Sequence, residues 1–269
     1  MSASTQFDAL AHVDLCSGIG GFAYGFQLAG LSKPVMFCDT EPWCRKILRK
    51  HWPDVPIADD VKELANDPER LVPDCDILTA GFPCQPWSVA GRSRSLEAAK
   101  KDPRHIWPWI IDIIKQKRPT WVIFENVPHL ASLGGLDEVI ADLEITDYAA
   151  TTLNISAVAG AGAPHKRERL WIISRNVADA KSFGIQGLRP RGKQKPYSHE
   201  KETLSVRCGE RPRATAWDAE PRICRVSHGV PNRLDRIKGL GNAIVPQIAQ
   251  RIGKIIREVE LQNECSNTV

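Results

Sequence analysis

Along the first 175 residues, short apolar runs alternate with amphipathic stretches, and this alternation constrains the fold more than any other feature of the chain. Residues 12–16, 35–38, 75–80, 121–125 and 169–174 read as strands. Residues 22–29, 42–50, 106–117 and 136–144 carry apolar positions at helical spacing and read as helices. Strands separated by helices favour a parallel sheet covered on both faces, which is an α/β, doubly wound, Rossmann-like core. With 269 residues the chain is long enough to bury a sizeable core of this kind.

The alternation fails after residue 174. Residues 183–212 are rich in Gly, Pro, Arg and Lys and show little periodicity. Helical spacing returns with Ile248, Ile252, Ile255, Ile256 and Val259, and Pro246 suits the first turn of that helix. We therefore expect a core made of residues 1–175 and 236–262, an irregular insert over 176–235, and a short polar tail over 263–269. The net charge is +4, and its distribution is uneven. Residues 176–235 hold twelve Lys/Arg against seven Asp/Glu, a net +5, while the rest of the chain holds 24 basic and 25 acidic residues. A solvated basic loop and a polyanion-binding surface both fit that pattern. No apolar run approaches the length of a membrane span, and the first residues lack the pattern of a signal peptide. The eight cysteines form no C-x-x-C pair and no cluster at zinc spacing, so reduced thiols and no metal are expected.

Two turns carry chemistry. The segment 81–91, Gly-Phe-Pro-Cys-Gln-Pro-Trp-Ser-Val-Ala-Gly, follows a buried strand, and its prolines flank the Cys84-Gln85 pair. A cysteine on a stiff turn at a strand end is where an α/β enzyme presents a nucleophile, although a small buried cysteine would read alike. The segment 13–26 reads as a strand, a glycine turn and a helix, with Gly18 and Gly20 permitting the turn and Gly21 permitting close packing. Its G-x-G-G spacing departs from the dinucleotide G-x-G-x-x-G. Glu41, about 20 residues on, stands where a carboxylate can accept from both ribose hydroxyls, and Asp60 stands at the next strand end where it could take an adenine amino proton. Their order along an alternating chain points to an adenosine-bearing cofactor.

These residues, in this order, resemble the DNA (cytosine-5)-methyltransferases. The shared motifs are DLCSGIGG at 14–21, GFPCQPWS at 81–88, FENV at 124–127, RER at 167–169 and GNAIVPQ at 241–247, and the likeness runs from about residue 13 to 253. The resemblance implies S-adenosylmethionine as cofactor, held by Asp14, Cys16, Gly18, Ile19, Gly20 and Gly21, by Glu41, Asp60 and Val61, by Gly81 and Pro83, and by Asn242 and Ala243. It implies Cys84 as the thiolate that adds to carbon 6 of a flipped cytosine, and Glu125 as the carboxyl at ring N3, with a pKa raised by burial. Arg167 and Arg169 would hold the flipped nucleotide and support Glu125, and Asn126 would brace the active-site loop. Residues 88–104 suit a basic lid, with Gln85, Ser88, Arg92, Arg94 and Arg104 as expected DNA contacts. The insert corresponds to the family's target-recognition region. The resemblance also implies double-stranded DNA as partner, a monomer, no membrane association, and a bacterial or phage-infected cytoplasm.

Departures from the family pattern touch cofactor packing rather than the reaction. Cys16 stands where phenylalanine usually meets adenine, Pro42 where an aromatic residue often follows the ribose-binding acid (Trp43 is adjacent), His165 for glutamine, and Ala243 for serine. The family's penultimate motif is not cleanly placed, and residues 230–238 are its nearest counterpart. An RNA cytosine-5 methyltransferase and a non-catalytic DNA-binding protein on the same fold are the rivals. The intact Cys84, Glu125, Arg167 and Arg169 speak against the second. The absence of a [DNS]-P-P-[YF] motif disfavours amino-group methylation, and the glycine spacing disfavours a dehydrogenase.

Overall fold

The computed structural model describes residues 7–83, 96–162, 167–177 and 241–266. Within them a single seven-stranded sheet has the order β3-β2-β1-β4-β5-β7-β6. Its strands are β1 (Leu10–Leu15), β2 (Ser32–Cys38), β3 (Ile57–Ala58), β4 (Ile77–Ala80), β5 (Trp121–Asn126), β6 (Tyr148–Ser156) and β7 (Glu168–Asn176). Neighbours from β3 through β5 run parallel, whereas β7 is antiparallel to both β5 and β6. A parallel sheet was expected; the strands from β3 through β5 meet that expectation, and β7 departs from it. Only α9 (Ala157–Ala161) and short flanks join β6 to β7, too little chain for a crossover between parallel neighbours.

Helices cover both faces because side chains alternate along each strand. Val13, Leu15, Leu78, Ala80, Val122 and Phe124 face one way and pack on α6 (Trp107–Lys117) and α8 (Gly135–Ile145). Ile77, Ile123 and Trp171 face the other way, against α1 (Gly21–Leu28) and the C-terminal helix (Pro246–Ser266). This last helix lies along α1 in the same direction, and glycine permits the approach. A Cβ on Gly25 would stand 2.6 Å from Ala249 Cβ and from the Pro246 carbonyl oxygen. Its far end is tied down by Glu260, whose Oε1 accepts from Trp121 Nε1 at 3.0 Å and lies 3.3 Å from Arg175 Nη2.

Every parallel strand ends at one edge of the sheet, which becomes the site edge. Because β7 is antiparallel, it starts at that edge, where Leu170 is opposite Asn126, and ends at the opposite edge, where Arg175 is opposite Trp121. The C-terminal helix likewise begins near the site, with Ile244 against Gly21, and finishes beside Trp121.

Beneath the site edge lies a buried polar chain that sequence reading did not anticipate. His12 Nε2 is 2.7 Å from Thr79 Oγ1, which in turn donates to Asp14 Oδ1 at 2.6 Å. With the hydroxyl proton spent on Asp14, the His12 ring must donate, so its proton sits on Nε2. Burial pushes the His12 pKa down to about 3 and Asp14 up to about 7, so His12 is neutral near pH 7 while Asp14 loses its proton as pH rises through that value.

Candidate functional site

The site is a cavity of about 500 Å³ at the carboxyl ends of the parallel strands, where open α/β sheets form their crevices. Each strand end contributes part of the wall. Cys16 and Gly18 come from the turn after β1, and Cys38, Asp39, Thr40 and Glu41 from the end of β2. Asp60 and Val61 follow β3, Gly81, Phe82 and Pro83 follow β4, and Glu125 and Val127 close the floor at β5. Trp43, Lys62, Arg104, Ile106, Arg169 and Asn242 are also in the lining.

The glycine turn is shaped by backbone rather than side chains. Gly20 has φ 82°, a left-handed value, and a Cβ there would stand 2.6 Å from the Trp52 ring. Gly20, Gly21 and Ile19 do not line the cavity; they fix the turn that presents Cys16 and Gly18. Cys16 itself has φ 51°, an uncommon value for a residue with a side chain and one that tends to mark functional turns. Asp14 lies below the wall in the buried polar chain.

Asp39 is the residue sequence reading missed. Its Oδ2 accepts from the Gly18 N–H at 2.7 Å and its Oδ1 from the Glu41 N–H at 2.8 Å. One carboxylate thus ties the glycine turn to the start of α2 (Pro42–His51) and lines the cavity between them. Its signal was its place directly after an apolar strand. Burial raises the Asp39 pKa, and the two backbone bonds oppose that rise. Asp60 caps α3 (Val61–Leu64), accepting from the Lys62 N–H through Oδ1 at 3.0 Å. The thiols among these acids stay protonated: burial pushes Cys38 to about 12 and Cys16 well above its usual value.

At the other end, Glu125 is buried beside Arg169, with Arg169 Nε 2.9 Å from Glu125 Oε1. Burial raises the Glu125 pKa to about 7, against the pull of Arg169 and then Arg167. The rise agrees with the sequence expectation. Arg167 and Arg169 diverge. While Arg169 reaches Glu125, Arg167 donates from Nη2 to the Ala243 carbonyl oxygen at 2.6 Å. Ala243 therefore meets Arg167, and its neighbour Asn242 reaches the cavity.

The turn that leads to Cys84 is braced on two sides. Asn126 Nδ2 donates to the Phe82 carbonyl at 3.3 Å, and the Phe82 ring packs on Trp107 and Phe124. Cys84 itself, with Gln85, Ser88, Arg92, Arg94 and His165, lies outside the described residues, as does nearly all of the 176–235 insert. Arg104, the one expected DNA contact that is described, lines the cavity with Nη2 2.6 Å from Asp102 Oδ2. Lys100, within the stretch expected to form a lid, lies 3.0 Å from Glu138 on α8.

A cavity of this size is within the range of sites for small organic ligands. Acids at one end and a polar floor at the other fit an adenosine-bearing, positively charged cofactor such as S-adenosylmethionine. Among the described residues no group of His, Cys, Asp and Glu could hold a metal ion, and no helix is long and apolar enough to cross a membrane.

Comparison with known proteins places the chain in a family. A family model described as C-5 cytosine-specific DNA methylase matches residues 10–220. The Type II methyltransferase M2.BsuMI of Bacillus subtilis is 31% identical over 179 residues, covering 63% of this chain and 43% of that protein. M.HhaI of Haemophilus parahaemolyticus is 29% identical over 182 residues, covering 66% and 53% respectively. Among solved structures, the Dnmt2 methyltransferase of S. pombe aligns with a TM-score of 0.52 at 22% identity, over 69% of this chain and 58% of that one. The last likeness speaks for the fold. The chain spans about half the length of the relatives it matches.

Proposed function

Because the chain belongs to the C-5 cytosine-specific DNA methylase family, we propose that it transfers a methyl group from S-adenosylmethionine to carbon 5 of cytosine within a specific sequence of duplex DNA. The observation that carries the reading is the meeting, in one cavity, of an acid-lined cofactor end with a buried Glu125–Arg169 pair and the base of the Cys84 turn. A site for binding alone has no need of a carboxyl tuned to about 7 beside a cysteine turn.

When bound, the cofactor supplies an electrophilic methyl group. The target cytosine leaves the base stack and enters beside Glu125. Cys84, as thiolate, forms a bond to carbon 6, and the electron pair of the carbon 5–carbon 6 double bond moves into the ring. Glu125 shares a proton at N3 and accepts from the exocyclic amine, which stabilises the charge that develops there. Carbon 5, now enamine-like, would take the methyl group, and the electron pair of the broken methyl–sulfur bond would stay on sulfur, leaving S-adenosylhomocysteine. Loss of the carbon 5 proton to a base and breakage of the sulfur–carbon 6 bond then release 5-methylcytosine and restore the thiolate. Arg169 keeps Glu125 oriented throughout. The residue 176–235 insert, with its net +5, reads the target sequence. The named relatives are Type II methyltransferases, which supports a restriction-modification context for this reaction.

Duplex DNA carrying 5-fluorocytosine at the target tests the covalent route. Fluorine does not leave as a proton does, so elimination stalls with sulfur bound to carbon 6. A cofactor-dependent complex that survives denaturation is expected with the natural chain and is absent with Cys84→Ser. Methylation of ordinary DNA with no trapped complex would discard the covalent route. Turnover on tRNA with none on duplex DNA would move the substrate to RNA.

A further inference from the structure

The segment carrying Asn242, Ala243 and Ile244 joins the cavity wall, Arg167 and the turns at Gly21 and Gly81. Asn242 lines the cavity, and the Ala243 carbonyl receives Arg167 Nη2 at 2.6 Å. Ile244 is buried between the two functional turns. A Cβ on Gly21 would stand 2.7 Å from both Ile244 Cβ and Ile244 O, and one on Gly81 would stand 3.4 Å from Ile244 Cδ1. Ile244 thus packs closely against Gly21, where a side chain would collide with it, and lies within ordinary contact range of a Cβ at Gly81.

Ile244 and Arg167 hold the segment from opposite ends. Ile244 is held by shape, since it joins the cluster of Phe22, Phe26 and Trp171. The Ala243 carbonyl is held by a charged donor, the stronger kind of hydrogen bond. Arg167 is in turn fixed by its own backbone, whose carbonyl accepts from the Ala157 N–H at 2.8 Å at the start of α9. A chain of contacts therefore runs from α9 through Arg167 to Ala243 and on to Asn242 in the cofactor wall. Two residues along β7, Arg169 serves Glu125 instead.

We propose that Arg167 is a positioning residue for the cofactor, a strut that sets Asn242 in the cavity wall through the Ala243 carbonyl. The reading rests on the proposed cofactor, and it gives the two arginines of one strand separate duties: Arg169 the base pocket, Arg167 the cofactor wall. A residue that only grips the flipped nucleotide has no bearing on cofactor affinity when DNA is absent, and this separates the two roles.

The test is titration calorimetry of the DNA-free protein with S-adenosylhomocysteine. Arg167→Gln should weaken binding about tenfold or more, the scale of one lost charge-assisted hydrogen bond. Arg167→Lys, which retains a charged donor, should recover part of that loss. If Arg167 acts through Asn242, the pair Arg167→Gln and Asn242→Ala should be non-additive in a double-mutant cycle, and the ligand-free melting temperature of Arg167→Lys should match the natural chain. Unchanged affinity in Arg167→Gln, or strictly additive effects, would overturn the strut while leaving the methyltransferase reading intact. A natural chain that fails to bind S-adenosylhomocysteine would remove the cofactor reading, and the strut with it.

Discussion

Glu125 sits under opposed influences: burial favours its neutral form, while Arg169 and Arg167 favour the charged one, and the balance lies near pH 7. The folded pKa is above the ordinary value of 4.5, so the folded protein holds this proton more tightly than the unfolded chain does. The associated stability is complete below pH 4.5 and is lost as pH rises through 7. Glu125→Gln is neutral at every pH and does not share that loss. Urea unfolding at pH 5 and pH 8.5 should therefore show the natural chain losing up to about 3 kcal/mol relative to the variant. Parallel profiles would mean that the carboxyl titrates in its ordinary range. At this scale the sequence was informative where a motif brought its residues together, as with Glu125 and Asn126. It was silent where the partner comes from a distant strand, as with Thr79 between His12 and Asp14.

Among elements, the contact between α1 and the C-terminal helix depends on what Gly25 lacks. Helix propensity alone favours alanine over glycine by about 1 kcal/mol. Against that, the added methyl would meet Ala249 Cβ and the Pro246 carbonyl at 2.6 Å, and backbone cannot step aside as a flexible side chain can. The clash should win. Gly25→Ala is expected to destabilise the fold by about 1–3 kcal/mol, read as a lower denaturation midpoint. A midpoint at or above that of the natural chain would show that the helices can separate freely. Apolar periodicity located these two helices in the sequence because each buries one stripe. The same reasoning overlooked β6, Tyr-Ala-Ala-Thr-Thr-Leu-Asn-Ile-Ser, which lies at the sheet edge with residues 151–154 exposed. An edge strand with little buried surface leaves no alternation to read. The orientation of β7 was equally hidden, since it follows from a short connection rather than from the composition of the strand.

For the whole molecule, the antiparallel course of β7 decides the two points that residues 178–240 must connect. Residue 177 lies at the pole remote from the cavity, and residue 241 lies beside the cavity. The six residues of β5 between those poles measure about 20 Å. Replacing residues 178–240 with a flexible Gly/Ser linker of 20 residues should leave S-adenosylhomocysteine binding within about threefold, since a coil of that length spans roughly 25 Å. A linker of four residues, about 14 Å when fully drawn out, should abolish binding. Equal behaviour of the two linkers would refute the polar separation. Residues 178–240 are thus moored at their two ends like a suspension cable, one anchor at the foot of the sheet and the other at its crest. Modules of very different size can be hung between the same two posts, provided none is too short to reach.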